Sequence, residues 1–287
     1  MKVLFCTDGS KISYDAIENF SKWTTSETTV DAICIIDWSF LPEEVIIEET
    51  GFVNSCRNVA DSILEHAEKV ITSLDLTAGK KIKLCGAAVE SILDQAEKEE
   101  YDLIILGSHG KKGLQRWLGS VSREVLDAAD LPVYISKNKN LSNKILFTTD
   151  GSETSYTVTE QAIKTLNLSG KEVYLCTVTE NPDLLFLEGT LDSNWMMAIR
   201  TQQEIYSEHA VKKILELFER YNIEVKQSRI LEGTPAKSII GYAEEISADL
   251  IVLGSGRKTK MQNFLLDSVS KRVVEHTKSD TIVFRSR

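Results

Sequence analysis

Lys2-Val3-Leu4-Phe5-Cys6-Thr7-Asp8-Gly9-Ser10 returns later in the chain as Lys144-Ile145-Leu146-Phe147-Thr148-Thr149-Asp150-Gly151-Ser152, with seven of nine residues identical. A second pair follows in the same order, Asp102-Leu103-Ile104-Ile105-Leu106-Gly107-Ser108 against Asp249-Leu250-Ile251-Val252-Leu253-Gly254-Ser255, with six of seven identical. Ser120-Val121-Ser122 and Ser268-Val269-Ser270 make a third. Matches in one order through the chain mean a duplication, so the fold of one copy is the fold of the other. The two longer matched runs are short, apolar and rich in Val, Ile and Leu, and end at Gly and Ser, as a buried strand running into a loop does.

Outward from these anchors, the first copy has apolar runs at Lys2 to Thr7, Val30 to Ile36, Lys81 to Cys85, Leu103 to Leu106 and Val133 to Ile135. The second has Lys144 to Thr149, Val173 to Val178, Glu224 to Ile230, Leu250 to Leu253 and Thr281 to Phe284. Helical periodicity lies between them, clearest in Val59, Ile63, Ala67, Val70, Ile71 and Leu74, which recur at three and four and stack on one face. Strands alternating with helices predict an α/β fold. Continuous Val, Ile and Leu runs suit parallel strands covered by helices on both faces. The polar stretch Lys137 to Asn143 reads as a linker, which puts the two domains at residues 1–138 and 144–287. A length of 287 residues suits two domains at about 100–200 residues each.

A formal charge of −10 argues against electrostatic partners such as nucleic acid or an anionic membrane, because both are bound through clustered Lys and Arg. No apolar run approaches the roughly 20 residues that a membrane helix needs. The first residues reach Asp8 too soon for a signal peptide, so the expected location is the cytoplasm. Cys6, Cys34, Cys56, Cys85 and Cys176 show no CxxC spacing and are expected to be buried thiols. His66, His109, His209 and His276 are scattered, and no metal site is expected.

Open parallel sheets bind ligands beyond the carboxyl ends of their strands. There the first strand runs into Thr7-Asp8-Gly9-Ser10, and the fourth into Gly107-Ser108-His109-Gly110 and, further on, Gly119-Ser120-Val121-Ser122. Gly119-Ser120 opens an apparent helix (Val121, Val125, Leu126, Ala129), whose first N–H groups and dipole suit a phosphate. The same residues also suit a plain strand-to-helix turn with Ser120 or Ser122 as a cap, and spacing alone leaves the two open. Asp8 and Asp150 likewise suit Asx-turns.

The Asp-Gly-Ser turn after the first strand, the Gly-Ser-His-Gly turn after the fourth and the later Gly-Ser-Val resemble the universal stress protein family. The resemblance spans essentially the whole chain, in two copies. It implies a five-stranded parallel sheet of order 3-2-1-4-5 in each domain and an ATP site, with Mg accompanying the nucleotide. It further implies that Asp8 and the backbone of Ile35 contact adenine, that Leu106 and Gly107 flank adenine and ribose, and that Gly110, Gly119, Ser120 and Val121 hold the phosphates. Two departures stand out. Eight residues rather than nine separate Gly110 from Gly119, and Gly86-Ala87-Ala88 replaces the proline that follows the third strand and that copy two keeps as Pro235. In copy two Arg257 replaces the second motif glycine and Asp267-Ser268 replaces Gly-Ser, so ATP binding is expected mainly in the first domain.

His109 stands without a carboxylate or nucleophile partner in the sequence pattern and is expected to be a turn residue. Lys111, Lys112 and Arg116 suit either steering of a polyphosphate or solvation of the loop. The apolar connections around Trp38, Phe40, Leu41, Val45, Ile46 and Ile47, and around Leu184, Leu185, Phe186, Trp195 and Met196, suit lids or interfaces, with interfaces preferred. Edge strands pair domains in the resembling family. That implies intramolecular pairing of the two copies and is compatible with a homodimer. No Ser-His-Asp order, HExxH or paired carboxylates on a helix face appears, so binding outranks catalysis and at most a slow ATPase is expected. A regulatory ATP-binding protein is the leading expectation, with a nucleotide-independent scaffold of the same fold as its rival.

Overall fold

The computed structural model of the chain describes residues 1–37, 50–109, 118–137, 142–180, 193–255 and 268–285, without the side chains of 50–57 and 193–196. It divides into two compact units whose principal spans are Met1–Lys139 and Asn140–Arg257. In the first unit β1 (Lys2–Cys6), α1 (Lys11–Phe20), β2 (Thr29–Ile36), α2 (Thr50–Ser73), β3 (Thr77–Cys85), α3 (Ala88–Lys98), β4 (Leu103–Gly107), α4 (Ser120–Ala128) and β5 (Val133–Ser136) follow one another. The strands are parallel in the order β3-β2-β1-β4-β5. Helices α1 and α2 pack together as one layer, and α3 and α4 as another.

The second unit repeats this with β6 (Lys144–Thr148), α5 (Glu153–Thr165), β7 (Glu172–Thr179), α6 (Ser193–Arg220), β8 (Val225–Glu232), α7 (Pro235–Ile246), β9 (Leu250–Ser255), α8 (Ser268–His276) and β10 (Asp280–Arg285). Its strands are parallel in the order β8-β7-β6-β9-β10. Both units therefore have the expected 3-2-1-4-5 order. Each core is built on the central strands. Phe5, Phe20, Trp23 and Tyr134 are fully buried in the first unit, with Phe20 and Tyr134 edge to face at 5.2 Å. Phe147 and Phe218 form a corresponding edge-to-face pair at 5.0 Å in the second.

Three details differ from the sequence expectation. Strand β3 begins at Thr77 rather than Lys81, because its first half is a polar edge held by a buried acid instead of by apolar packing. Asp31, 1% exposed, accepts from the Lys80 amide at 2.7 Å and the Tyr101 hydroxyl at 2.9 Å, with Lys2 Nζ at 3.5 Å. The β2–β3 register shifts beside it, and a Cβ at Gly79 would collide with its carboxylate. Lys2 and Lys80 both pair with Glu99 and hold its carboxyl down to about 2. Second, Val59 is 54% exposed, and the stripe of α2 that packs inward is Ala60, Leu64, Ala67 and Ile71. Third, Cys6, Cys34 and Cys176 are buried as expected, but Cys85 is exposed at the last position of the edge strand. The side chain of Cys56 lies outside the described residues, as do the apolar connections at 38–49 and 181–192. Trp195 and Met196 fall on α6, without described side chains. Among the described residues no helix is long and apolar enough to cross a membrane.

Candidate functional site

The order β3-β2-β1-β4-β5 takes the chain from β1 outward through β2 to β3 and then back across to β4 and β5, so strand order reverses between β1 and β4. A cavity of about 500 Å³ lies there. Asp8, Ile35, Leu106, Gly107, Gly119, Ser120 and Val121 all line it, although they come from four separate stretches of chain. Gly110 lies outside the described residues, as do Lys111, Lys112 and Arg116.

The turn after β1 is set by a short hydrogen-bond network. Ser13 Oγ donates to the Ser10 carbonyl at 2.8 Å, which leaves Thr7 Oγ1 to donate to Ser13 Oγ at 2.7 Å. The Gly9 amide donates to Thr7 Oγ1 at 3.1 Å, and Ser10 caps α1 by accepting from the Ser13 amide at 3.2 Å. Gly9 has φ +76, and a Cβ there would press on Ile63 of α2, so glycine is needed for both reasons. Asp8 Oδ1 accepts from the Ser10 amide at 2.9 Å. The Asx-turn is thus formed, and it places Asp8 on the cavity wall.

The main chain of Ile35 is aimed at the cavity by the parallel ladder. Thr29 donates to Met1 and Ile33 accepts from Thr7, so odd-numbered residues of β2 turn their N–H and C=O toward β1. Even-numbered residues turn toward β3, as the Gly86-to-Ile36 bond shows. Because β1 stops at Cys6, the next odd residue, Ile35, directs its amide and carbonyl past the end of β1 into the cavity.

At the other end, Gly119 is the N-cap of α4, with φ −62, ψ 155 and no side-chain cap. Its own amide donates to the Ser108 carbonyl at 2.7 Å, and the helix proper begins with Arg123 donating to the Gly119 carbonyl at 2.9 Å. The amides of Ser120, Val121 and Ser122 are therefore first-turn donors without a side-chain cap, at the positive end of the helix dipole. Ser122 Oγ donates to the Gly107 carbonyl at 2.7 Å and ties this turn to the end of β4. Gly107 is glycine for a packing reason, since a Cβ would stand 3.1 Å from the Ile12 carbonyl oxygen.

Sequence patterns did not single out Cys6, Ile33, Asp37, Ala88 or Ile92, which also line the cavity. Ile33 and Asp37 share the face of Ile35 by strand alternation, a signal available once the strand's start was known. Ala88 and Ile92 come from α3, whose position depends on tertiary packing. His109 is on the wall too, with Nδ1 3.0 Å from Ser108 Oγ. Burial pushes the Cys6 thiol well up, so it is an uncharged part of the floor. Among the described residues no group of three His, Cys, Asp or Glu could hold a metal. A Mg ion here would depend on phosphate oxygens and one or two carboxylates, as Mg usually does with nucleotides.

The second unit repeats the scaffold. Thr149 and Ser155 hydroxyls pair at 2.9 Å, Ser152 caps α5, and Ser270 Oγ donates to the Gly254 carbonyl at 2.7 Å. Burial would raise the Asp150 carboxyl, but the Ser152 hydroxyl at 2.5 Å and amide at 3.0 Å outweigh it and hold the group below its ordinary range. Gly256, Arg257 and Asp267, which distinguish this copy, lie outside the described residues.

A family model described as the universal stress protein family matches the chain twice, over residues 1–137 and 142–285. A universal stress protein of Methanocaldococcus jannaschii is 30% identical over 151 residues, covering 53% of this chain and 86% of its own length. One from Synechocystis is 22% identical over 315 aligned positions, covering 99% of both chains. Among solved structures, a universal stress protein from Archaeoglobus fulgidus matches with a TM-score of 0.68 at 23% identity, covering 99% of this chain and 96% of that one. At that identity the likeness bears on fold alone.

Proposed function

The chain belongs to the universal stress protein family, and from that premise we propose that it is a cytoplasmic regulatory protein whose first domain, residues 1–138, binds ATP, with Mg accompanying the nucleotide. The observation that carries the proposal is the meeting of seven residues from four separate stretches of chain around one cavity, with opposite chemistry at its two ends. Uncapped amides at the start of α4 suit the phosphates, and the apolar slot formed by Ile33, Ile35, Ile92 and Leu106 suits a base. Asp8 and the main chain of Ile35 supply acceptors and a donor for the base edge. Occupancy would add contacts to the turn after β1 and to the first turn of α4, which gives nucleotide binding a route to partner choice. A volume of about 500 Å³ is within the range of ordinary small-ligand sites.

Among the described residues on the walls, His109 has Nδ1 3.0 Å from Ser108 Oγ, and the proposed turnover is slow ATP hydrolysis at most. The test is the adenine nucleotide released by acid from freshly purified protein, counted per chain, followed by titration to millimolar ATP. About one per chain supports a single site in the first domain. A second reading, a scaffold that binds no nucleotide, draws on Gly9 and Gly107, whose packing against Ile63 and Ile12 accounts for two motif glycines without a ligand. Absence of saturable binding would favour it.

A further inference from the structure

We infer that a second copy of this chain pairs with β8, edge to edge and antiparallel, about a two-fold axis at Ile230. This pairing is independent of nucleotide binding. In the second unit β8 has β7 on one side and no described strand on the other. The Gly233 amide donates to the Thr179 carbonyl, and Thr179 stands opposite Glu232 in the ladder. Alternation therefore turns the N–H and C=O of Arg229, Leu231 and Gly233 toward β7, and those of Ser228, Ile230 and Glu232 outward. Within this outward set the Glu232 carbonyl accepts from the Ser238 hydroxyl at 3.0 Å, and the other groups have no partner among the described residues. An open edge is a template for another strand unless it is blunted, commonly by lysine.

The duplicated first unit provides the comparison. Ile33 and Cys176 are equivalent, since each accepts from the threonine amide after its unit's first strand. Ile82 stands opposite Ile33 and Arg229 opposite Cys176, so Lys81 and Lys83 of β3 occupy the places of Ser228 and Ile230 in β8. Those lysines pair with Glu68 and Asp61 of α2 at 2.7 and 2.5 Å, and would face like charges if β3 met its own copy. In β8 neither place carries a charge. Ile230 is 42% exposed, and the Ser228 hydroxyl and Glu232 carboxylate are exposed and have no partner among the described residues. Read antiparallel about Ile230, this edge complements itself. Ile230 meets its counterpart at the axis, and each Ser228 hydroxyl donates to the Glu232 carboxylate of the other chain. The outward amides and carbonyls bond in the same register. Val211 and Leu215 of α6 line one groove with Ser228 and Ile230 and extend the apolar contact on that face. One strand per chain is a small contact beside the roughly 800 Å² per partner of a standard interface, so the dimer is expected to form in the micromolar range.

The test is sedimentation equilibrium of the full chain from about 1 to 100 μM, with its Ile230→Lys and Ile230→Asp variants alone and mixed. The wild-type protein is expected to pass from the mass of one chain to that of two across this range. Either variant alone sets like charges against each other at the axis and is expected to stay at the mass of one chain. The mixture sets opposite charges there and is expected to recover the dimer. A wild-type protein that stays monomeric overturns the inference. So does an Ile230→Lys chain that dimerises as wild type does, which would place the contact on another surface, and so does a mixture that stays monomeric. Lysine at this place is one the fold already carries at Lys83, so a thermal melt close to wild type is expected. Amide exchange of the wild-type protein reads the contact with no substitution. Protection of the Ser228 and Ile230 amides is expected to rise with concentration, and protection that stays constant overturns the pairing.

Discussion

Ser122 Oγ donates a 2.7 Å hydrogen bond to the carbonyl of Gly107, fifteen residues earlier in the chain. One bond thus fixes the first turn of α4, with its uncapped amides, against the end of β4. Ser270 and Gly254 make the same bond at the same length in the second unit.

Replacing Ser122 with Ala leaves the Gly107 carbonyl short of a buried partner and is expected to cost about 1–2 kcal/mol of unfolding free energy. The denaturant midpoint measures this loss. If the bond also positions the amides, the ATP dissociation constant rises severalfold in the same protein.

Gly119→Asp is expected to move stability and binding in opposite directions. An Asp at the N-cap can accept from the first-turn amides and suits the helix dipole, a gain of about 0.3–1 kcal/mol. The same carboxylate competes with phosphate and repels it, so ATP affinity should fall at least tenfold. A rise in Tm with unchanged affinity would show that the phosphates lie elsewhere.

Asp8→Ala is expected to weaken ATP binding at least tenfold, and Asp150→Ala less than twofold. Isothermal titration of both variants decides. Equal effects would mean that the second domain holds a site of equal standing.

The Asp150 carboxyl is held below its ordinary range, so its contribution to stability is fully present above the unfolded value near 3.8 and is lost as pH falls through the lower folded value. Asp150→Asn should therefore flatten the fall of Tm between about pH 5 and 3. Melts across that range that stay parallel to wild type would count against the hydrogen bonds from Ser152.

Gly79→Ala should cost at least about 2 kcal/mol, because the new methyl displaces a buried carboxylate from its partners. In an Asp31→Ala background the same change should cost little. Unfolding of the two single variants and the double variant gives the coupling, expected at about 1–3 kcal/mol. A coupling near zero would mean that the β2–β3 edge yields without resistance.

Most of this architecture is legible in the sequence because it is repeated. Asp-Gly-Ser after the first strand and Gly-Ser after the fourth mark the same two loops in both copies, and the apolar runs locate all ten strands. The start of β3 was not legible, because Thr77, Ala78, Gly79 and Lys80 look like a loop until Asp31, far away in sequence, supplies a partner for the Lys80 amide. Ala88 and Ile92 were missed for a related reason. Their place on the cavity wall depends on which strands and helices become neighbours, and no local pattern records that. Conversely, Gly107 resembles a ligand-contact glycine in the sequence and proves also to be a packing glycine against Ile12.

The main chain of Ile35 faces the cavity because β1 ends at Cys6, one ladder step too soon to occupy it. Any residue compatible with a strand at position 35 would present the same amide and carbonyl. What the cavity offers there is thus written in where a neighbouring strand stops, and exchanging the side chain at 35 edits the shape of the wall without withdrawing that amide and carbonyl. Lengthening β1 by a single residue pair would occupy them with no change at position 35 at all.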